Sequence, residues 1–280
     1  MYVNLLDNFV NIHFEDHTMK KYFDDSTLEV FEFGSSLYGL NNTDSDRDFF
    51  CVTTHNQNLN LSFLWEHHNY QFKVNDNDYI YNSIQNFIRN LINGDSVPLF
   101  EIIHDSACKN STMSFLYDHR EWFYSFTIIR SYLGLARRDL KHSAKDGKKL
   151  GHAIRSYYTA YLIFNERKYL NDFRKSNDKE IVDAYALMHN LKNHFDSFSK
   201  KEIKELIEHY TEKVVQLRDE VRKSFDKGGL YRVMEVSNMK KLDSWLLDYC
   251  HSDYYQNRVF DIDFDLFSEN YDILENGVSY

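Results

Sequence analysis

The spacing of hydrophobic and polar positions changes along the chain. Leu28 to Phe33, LEVFEF, alternates apolar with acidic side chains and runs into Gly34-Ser35-Ser36, which predicts a short strand ending in a turn. Asp48 to Thr54, DFFCVTT, is rich in aromatic and β-branched residues and predicts a second strand beside the first. From Ile80 the period becomes helical. Ile80, Ile84, Phe87, Ile88, Leu91 and Ile92 recur on one face, and Gly94 supplies a C-terminal stop. Beyond about residue 110 the strand signals fade, and amphipathic stretches follow near 121–143, 148–164, 178–194 and 199–226. In the last of these Ser199 and Glu202 form a capping box. Ile203, Leu206, Ile207, Tyr210, Val214, Leu217 and Val221 make its apolar stripe, and Gly228-Gly229 close it. No repeat is visible at solenoid periods. The pattern predicts an α+β chain: a mixed sheet with helices over residues 1–110, then a mainly helical domain over 111–280.

Composition narrows the class. With 280 residues, 42% of them hydrophobic, the chain can bury a sizeable core, and a single proline with nine glycines argues against a disordered or linker-rich protein. The opening MYVNLLDNFVNIHFEDH has neither a basic start nor a compact apolar run, and no stretch is apolar for the length of a membrane span. A soluble, cytoplasmic protein is expected, with no membrane partner. Cys51, Cys108 and Cys250 are odd in number and far apart, which suggests neither a disulfide framework nor a zinc cluster.

The net charge of -10 works against broad nucleic-acid binding, but the charge is uneven. Between Arg130 and Arg155 stand Arg130, Arg137, Arg138, Lys141, Lys145, Lys148, Lys149 and Arg155 against only Asp139 and Asp146. Such a cluster is either a solvated helix face or a docking place for a polyanion or nucleotide.

The chemistry-bearing residues lie at the predicted strand ends. A glycine lets backbone approach a phosphate closely, and a serine opening the next helix adds a hydroxyl, so Gly34-Ser35 can cradle a triphosphate. In Asp46-Arg47-Asp48 the two carboxylates are two apart on a strand and share a face, where they can share metal ions. Oxygen-only ligation of that kind suits Mg²⁺ or Mn²⁺. A third carboxylate from a neighbouring strand would complete the set, with Asp78 the first choice and Asp76 the reserve.

Other patterns weigh less. His13 and His17, and His104 and Cys108, have helical metal-pair spacing but no visible third ligand, and His67-His68 is uninformative. Asp261-Ile262-Asp263-Phe264-Asp265 repeats Asp-x-Asp without an upstream Gly-Ser and reads as an edge strand with a wet acidic face.

The stretch FGSSLYGLNNTDSDRDFFCV resembles the signature of the polymerase-β nucleotidyltransferase superfamily, especially the branch of predicted nucleotidyltransferases found beside RNA ligases in RNA-repair operons. Gly34-Ser35, Tyr38-Gly39 and Asp44-Ser45-Asp46-Arg47-Asp48 carry the likeness, which continues through Asp78, Tyr81, Phe87, Gly94 and Glu101. The branch's Lys-x-x-His-x-x-Arg looks like Lys149, His152 and Arg155. Phe50 stands where similar proteins often have arginine, and Gly94-Asp95-Ser96 departs from their Gly-Asn-Pro turn. The resemblance implies a polymerase-β-type nucleotidyltransferase domain followed by a helical domain. It implies metal-bound Asp46, Asp48 and Asp78, nucleotide contacts from Gly34, Ser35, Lys149, His152 and Arg155, and transfer of a nucleoside monophosphate from a nucleoside triphosphate to an RNA or tRNA end. A small-molecule or protein acceptor and a noncatalytic nucleotide-binding regulator are the alternatives. The oligomeric state, the base preference and the direction of transfer are not legible in the residues.

Overall fold

The computed structural model describes residues 27–40, 47–53, 70–74 and 77–252. Asp46, Asp76, the histidines at 13, 17, 67 and 68 and the acidic segment 261–265 lie outside the described residues.

Four strands form one mixed sheet: β1 (Thr27–Phe33), β2 (Asp48–Thr53), β3 (Tyr70–Val74) and β4 (Asn77–Ser83), in the order β1-β2-β4-β3. β1 and β3 run antiparallel to their neighbours, while β2 and β4 are parallel. The period of two sorts the side chains onto two faces. Phe31, Phe50 and Val52 enter the main core, whereas Cys51, Tyr79 and Tyr81 build a small separate cluster on the opposite face.

Nine α-helices are described, giving an α+β architecture in which helices dominate. They are α1 (Ile84–Asn93), α2 (Val97–Ile102), α3 (Ser106–Lys109), α4 (Ser114–Asp118), α5 (Phe126–His142), α6 (Gly147–Glu166), α7 (Lys179–Asn193), α8 (Lys200–Asp226) and α9 (Val236–Cys250). Local chemistry sets their ends. Ser125, Asp146 and Asp178 each accept a backbone N–H at a helix start, and Ser199 with Glu202 forms the reciprocal capping box that the sequence predicts. The helix expected from Ile80 begins four residues later. Asn77–Ser83 is the strand β4, Ile80 belongs to it, and Ser83 caps α1 by accepting from Asn86 N. A run that continues apolar from strand into helix hides the boundary, and the serine cap marks it. Gly94 ends α1 at φ 66°, and a Cβ there would lie 2.7 Å from Ile128 N of α5.

α6 is the axis of the molecule, buried on most sides, with α5 packed on one flank and α7 on the other. Gly147 and Gly151 permit the approach of α7: a Cβ on the first would collide with Leu191 O and the Phe195 ring, and one on the second would sit 3.6 Å from Met188 O. The main cluster of buried side chains runs without a break from Leu28 in β1 to Tyr249 in α9. No helix among the described residues is long and apolar enough to cross a membrane.

His104 and Cys108 are occupied by the fold. The His104 ring packs among Phe100, Tyr124 and Tyr169; Nδ1 donates to Phe100 O at 2.7 Å and Nε2 accepts from Tyr124 Oη at 3.1 Å. Cys108 donates to Met113 O, and burial pushes its thiol up to about 12. Burial also pushes His104 down to about 3, from the usual 6.5. The unfolded chain therefore binds a proton that the folded chain refuses between those values, so this contribution is intact above pH ~6.5 and shrinks as pH falls toward ~3. Between pH 7 and pH 5 the wild type should lose up to about 2 kcal/mol more unfolding free energy than His104→Gln, at about 1.4 kcal/mol per pH unit. Denaturant titrations at the two pH values measure it, and parallel losses in both proteins would contradict it.

Candidate functional site

The register at the strand ends assembles the site. Phe33 is the partner of Asp48 across β1 and β2, and Asp48 is the partner of Asp78 across β2 and β4, so Gly34, Asp48 and Asp78 come from three adjacent strand ends. Asp48 alternates with Phe50 and Val52, and Asp78 with Ile80, which puts both carboxylates on the face that meets the helices. Arg47 has the opposite orientation, ion-paired to Glu32 at 2.6 Å and lying over the Phe49 ring.

Gly34 is required by its surroundings. It has φ 77°, and a Cβ on it would lie 2.5 Å from Asp48 Oδ2. A left-handed backbone and a carboxylate against Cα both exclude a side chain. The helix expected to open at Ser35 is a single 3-10 turn, Gly34–Ser36, with Leu37 N donating to Gly34 O and Tyr38 N to Ser35 O. Gly39, at φ 66°, ends it.

Tyr38, from this turn, enters the interior. Its hydroxyl donates to Glu101 of α2, and its ring lies under the Arg155 guanidinium, 3.4 Å from Cζ to the ring centroid. Arg155 is 4% exposed. It donates to Asn171 O and Tyr169 Oη at 3.1 Å each, and its Nη2 lies 3.7 Å from Glu101 Oε1, which also accepts from Tyr132 Oη at 3.2 Å. Burial holds the Glu101 carboxyl above the usual range, with Arg155 opposing it. Burial works against the Arg155 charge too, but Tyr169, Tyr38 and Glu101 outweigh it and raise its pKa. α7 fixes the far end of the turn: Tyr185 Oη donates to Gly39 O at 2.7 Å and Lys192 Nζ to Leu40 O at 2.5 Å.

These elements enclose a cavity of about 560 Å³, within the usual range for small-molecule sites. Gly34, Ser35, Asp48, Asp78, His152 and Arg155 all line it, although the last two are more than a hundred residues from Gly34 and Ser35 in sequence. Lys149 does not. At about 100° per residue, a step of three repeated twice drifts away from one face, whereas Lys148, His152 and Arg155 at i, i+4 and i+7 stay aligned. Lys148 accordingly lines the cavity, while Lys149 is exposed and lies 3.7 Å from Asp146. Arg155 likewise leaves the expected basic surface cluster, since its guanidinium is committed to the interior.

Sequence reasoning also missed Lys192, Tyr132 and Asp139 in the lining. The i, i+4, i+7 stripe on α6 would have found Lys148; nothing local points to Lys192, which arrives by the packing of α7. Burial, then the Lys148 ammonium, lower both the His152 and Lys192 pKa values. His152 is thus uncharged at neutral pH, and an anion placed near Lys148 and Lys192 relieves their repulsion.

No family model matches the chain, and no curated protein matches it. Among solved structures, a nucleotidyltransferase-like protein from Exiguobacterium sibiricum 255-15 matches at 12% identity, covering 73% of this chain and 71% of its own, with a TM-score of 0.27. A superposition that loose decides neither fold nor activity.

The buried pair yields a stability prediction. Arg155→Ala leaves the Glu101 carboxyl without its cation and should cost about 3–5 kcal/mol in urea unfolding. Arg155→Met combined with Glu101→Gln should cost clearly less than the two single changes added together, since neither variant group is charged. Additive costs in this cycle would refute the coupling.

Proposed function

We propose that the chain is a metal-dependent nucleotidyltransferase that moves a nucleoside monophosphate from a nucleoside triphosphate to a hydroxyl acceptor. The observation that carries the reading is the Asp48–Asp78 register pair beside Gly34-Ser35, in a cavity that also exposes Lys148, His152 and Lys192. Among the described residues no three His, Cys, Asp or Glu side chains converge as a metal site; Asp46, two residues before Asp48, is outside them. Two carboxylates nonetheless fit Mg²⁺ or Mn²⁺, because Mg²⁺ usually takes one or two from the protein and completes its shell with water and substrate phosphate. When bound by Asp48 and Asp78, with Asp46 as the further ligand, the ion supplies charge neutralisation at the reacting phosphate.

The chain's own residues do the rest. Gly34 keeps the backbone close to the phosphates, and Ser35 offers a hydroxyl donor. Lys148 and Lys192 balance the departing pyrophosphate, and neutral His152 offers it a ring N–H. Arg155 acts through Tyr38, holding the turn that carries Gly34 and Ser35. The acceptor oxygen attacks the α-phosphorus as the bond to the β-phosphate oxygen breaks, and Asp78 either takes the acceptor's proton or serves as metal anchor. In this scheme residues 1–110 supply the carboxylates and 111–280 the cations. An RNA or tRNA end is the proposed acceptor.

Incubation with each α-labelled nucleoside triphosphate and Mg²⁺, in the presence of total RNA, small metabolites or protein, tests the proposal. Label should enter the RNA fraction, disappear with a chelator, and be abolished by Asp48→Asn and by Asp78→Asn in proteins that keep wild-type unfolding curves; Asp243→Asn on α9 should transfer normally. Label in another fraction would reassign the acceptor. Nucleotide binding without transfer in any fraction would identify a noncatalytic nucleotide-binding protein.

A further inference from the structure

The outer face of α5 carries exposed cations, of which Arg130 lies over the Phe126 ring at 6.0 Å from Cζ to its centroid. Successive helical residues turn by about 100°, so Arg130, Gly134, Arg137 and Lys141 fall on one stripe, and all four are exposed. Among the described residues none of the three cations forms an ion pair, although salt bridges are frequent elsewhere on the helices. Arg137 and Lys141 are like charges at i, i+4, an arrangement that destabilises an isolated helix. The helix dipole accounts for Lys141 in the last turn but not for Arg130 or Arg137.

Gly134 is an independent oddity in the same stripe. Glycine is the poorest helix former after proline, and the glycines of α6 are explained by the contact with α7. A Cβ added at Gly134, by contrast, would meet nothing within 4 Å. The fold has no use for a glycine there, whereas a partner that lies close against the helix backbone does. One step round the helix, Arg138 is exposed and lines the cavity, so the stripe borders the site.

We propose that α5 is a docking track for the sugar-phosphate backbone of a single-stranded nucleic acid, with Gly134 the point at which that backbone comes closest to the helix. The stripe spans about 16 Å at the helical rise, one helix wide, which suits a single strand with evenly repeated charge. It carries no exposed aromatic side chain for base stacking, so the contact is to phosphate and independent of sequence. The track deepens the proposed acceptor assignment but stands apart from the transfer chemistry.

The test is fluorescence anisotropy of a short labelled RNA oligonucleotide with the full chain, in a chelator so that no transfer occurs, over a series of salt concentrations. The logarithm of affinity should fall linearly with the logarithm of salt. The slope should become shallower by about 0.7 for each cation removed in Arg137→Gln and in Arg137→Gln/Lys141→Gln. Lys201→Gln/Lys204→Gln on α8, whose cations face Glu205 and Glu208, should leave the slope unchanged. Gly134→Leu should raise the melting temperature and yet weaken binding, a pairing that a merely structural role would not produce. The double variant Asp48→Asn/Asp78→Asn, which removes no cation, should keep the wild-type salt slope, so loss of transfer and loss of the track are separate results. Wild-type affinity and slope in Arg137→Gln/Lys141→Gln would overturn the proposal. So would equal competition, at matched charge, by polyglutamate or phosphatidylserine vesicles, which would identify the face as a site for acidic protein or membrane.

Discussion

A buried cation held over a tyrosine ring organises this molecule. Arg155 stands near the middle of the central helix, and the groups that surround it come from elsewhere: Glu101 from α2, Tyr38 from the turn after β1 and Tyr169 from the loop beyond α6, with Tyr132 of α5 donating to Glu101. Removing an arginine and a glutamate from water is expensive, and an apolar cluster of equal volume could be as stable. What the charged cluster adds is directionality. A hydrocarbon side chain in place of Tyr38 would fill the space but would not fix where the turn sits, whereas a phenol donating to one carboxylate under one guanidinium admits a single arrangement. The position of Gly34 and Ser35 relative to the helices follows from that arrangement.

The sheet contributes the other half of the geometry. Antiparallel β1 and β2 bring the end of one strand beside the start of the next, and the parallel partner β4 adds a third terminus at the same level. Carboxylates at paired positions of adjacent strands repel each other, and Lys73 of β3 stands at the register position on the other side of Asp78, so the sheet itself sets a cation beside the pair. Gly34, by lacking a Cβ, leaves the room in which Asp48 Oδ2 lies against the backbone of the turn. The like-charged register pair and the left-handed glycine each cost stability and occupy one spot, which is the pattern expected where function overrides folding.

Much of the fold was legible because it depends on short-range chemistry. The capping box at Ser199 and Glu202, the stop at Gly94 and the alternation of Asp48 to Thr53 are all decided within a few residues. The boundary at Ser83 was blurred because Ile80 and Ile84 satisfy both a strand ending and a helix beginning. In the candidate site, period two put Asp48 on the face that meets the helices, and motif spacing picked out Asp78, His152 and Arg155, which line the same cavity. Lys149 was mistaken for its neighbour because residue spacing of three describes a broad arc, while contact with a cavity selects a narrow one. Lys192 was beyond local reasoning: only the packing of α7 against Gly147 and Gly151 delivers its ammonium to Leu40 O. The burial of Arg155 was equally hidden, since its partner Tyr38 is more than a hundred residues away.

The charges around the cavity are arranged by element, and that order constrains what can occupy it. Apart from Glu101 and Asp139 on the helices, which meet Arg155 and Arg138, carboxylates stand on the sheet at Asp48 and Asp78, and ammonium groups stand on the helices at Lys148 and Lys192. Lys192 donates to the Leu40 carbonyl, and its pKa is lowered by burial and then by the neighbouring Lys148 ammonium. A simple anion would relieve the helices but add repulsion at the sheet, and a lone divalent cation would do the reverse. An occupant that presents cationic charge to the strands and anionic charge to the helices relieves both at once. A metal-chelated polyphosphate has that polarity, and an uncharged metabolite of the same size does not.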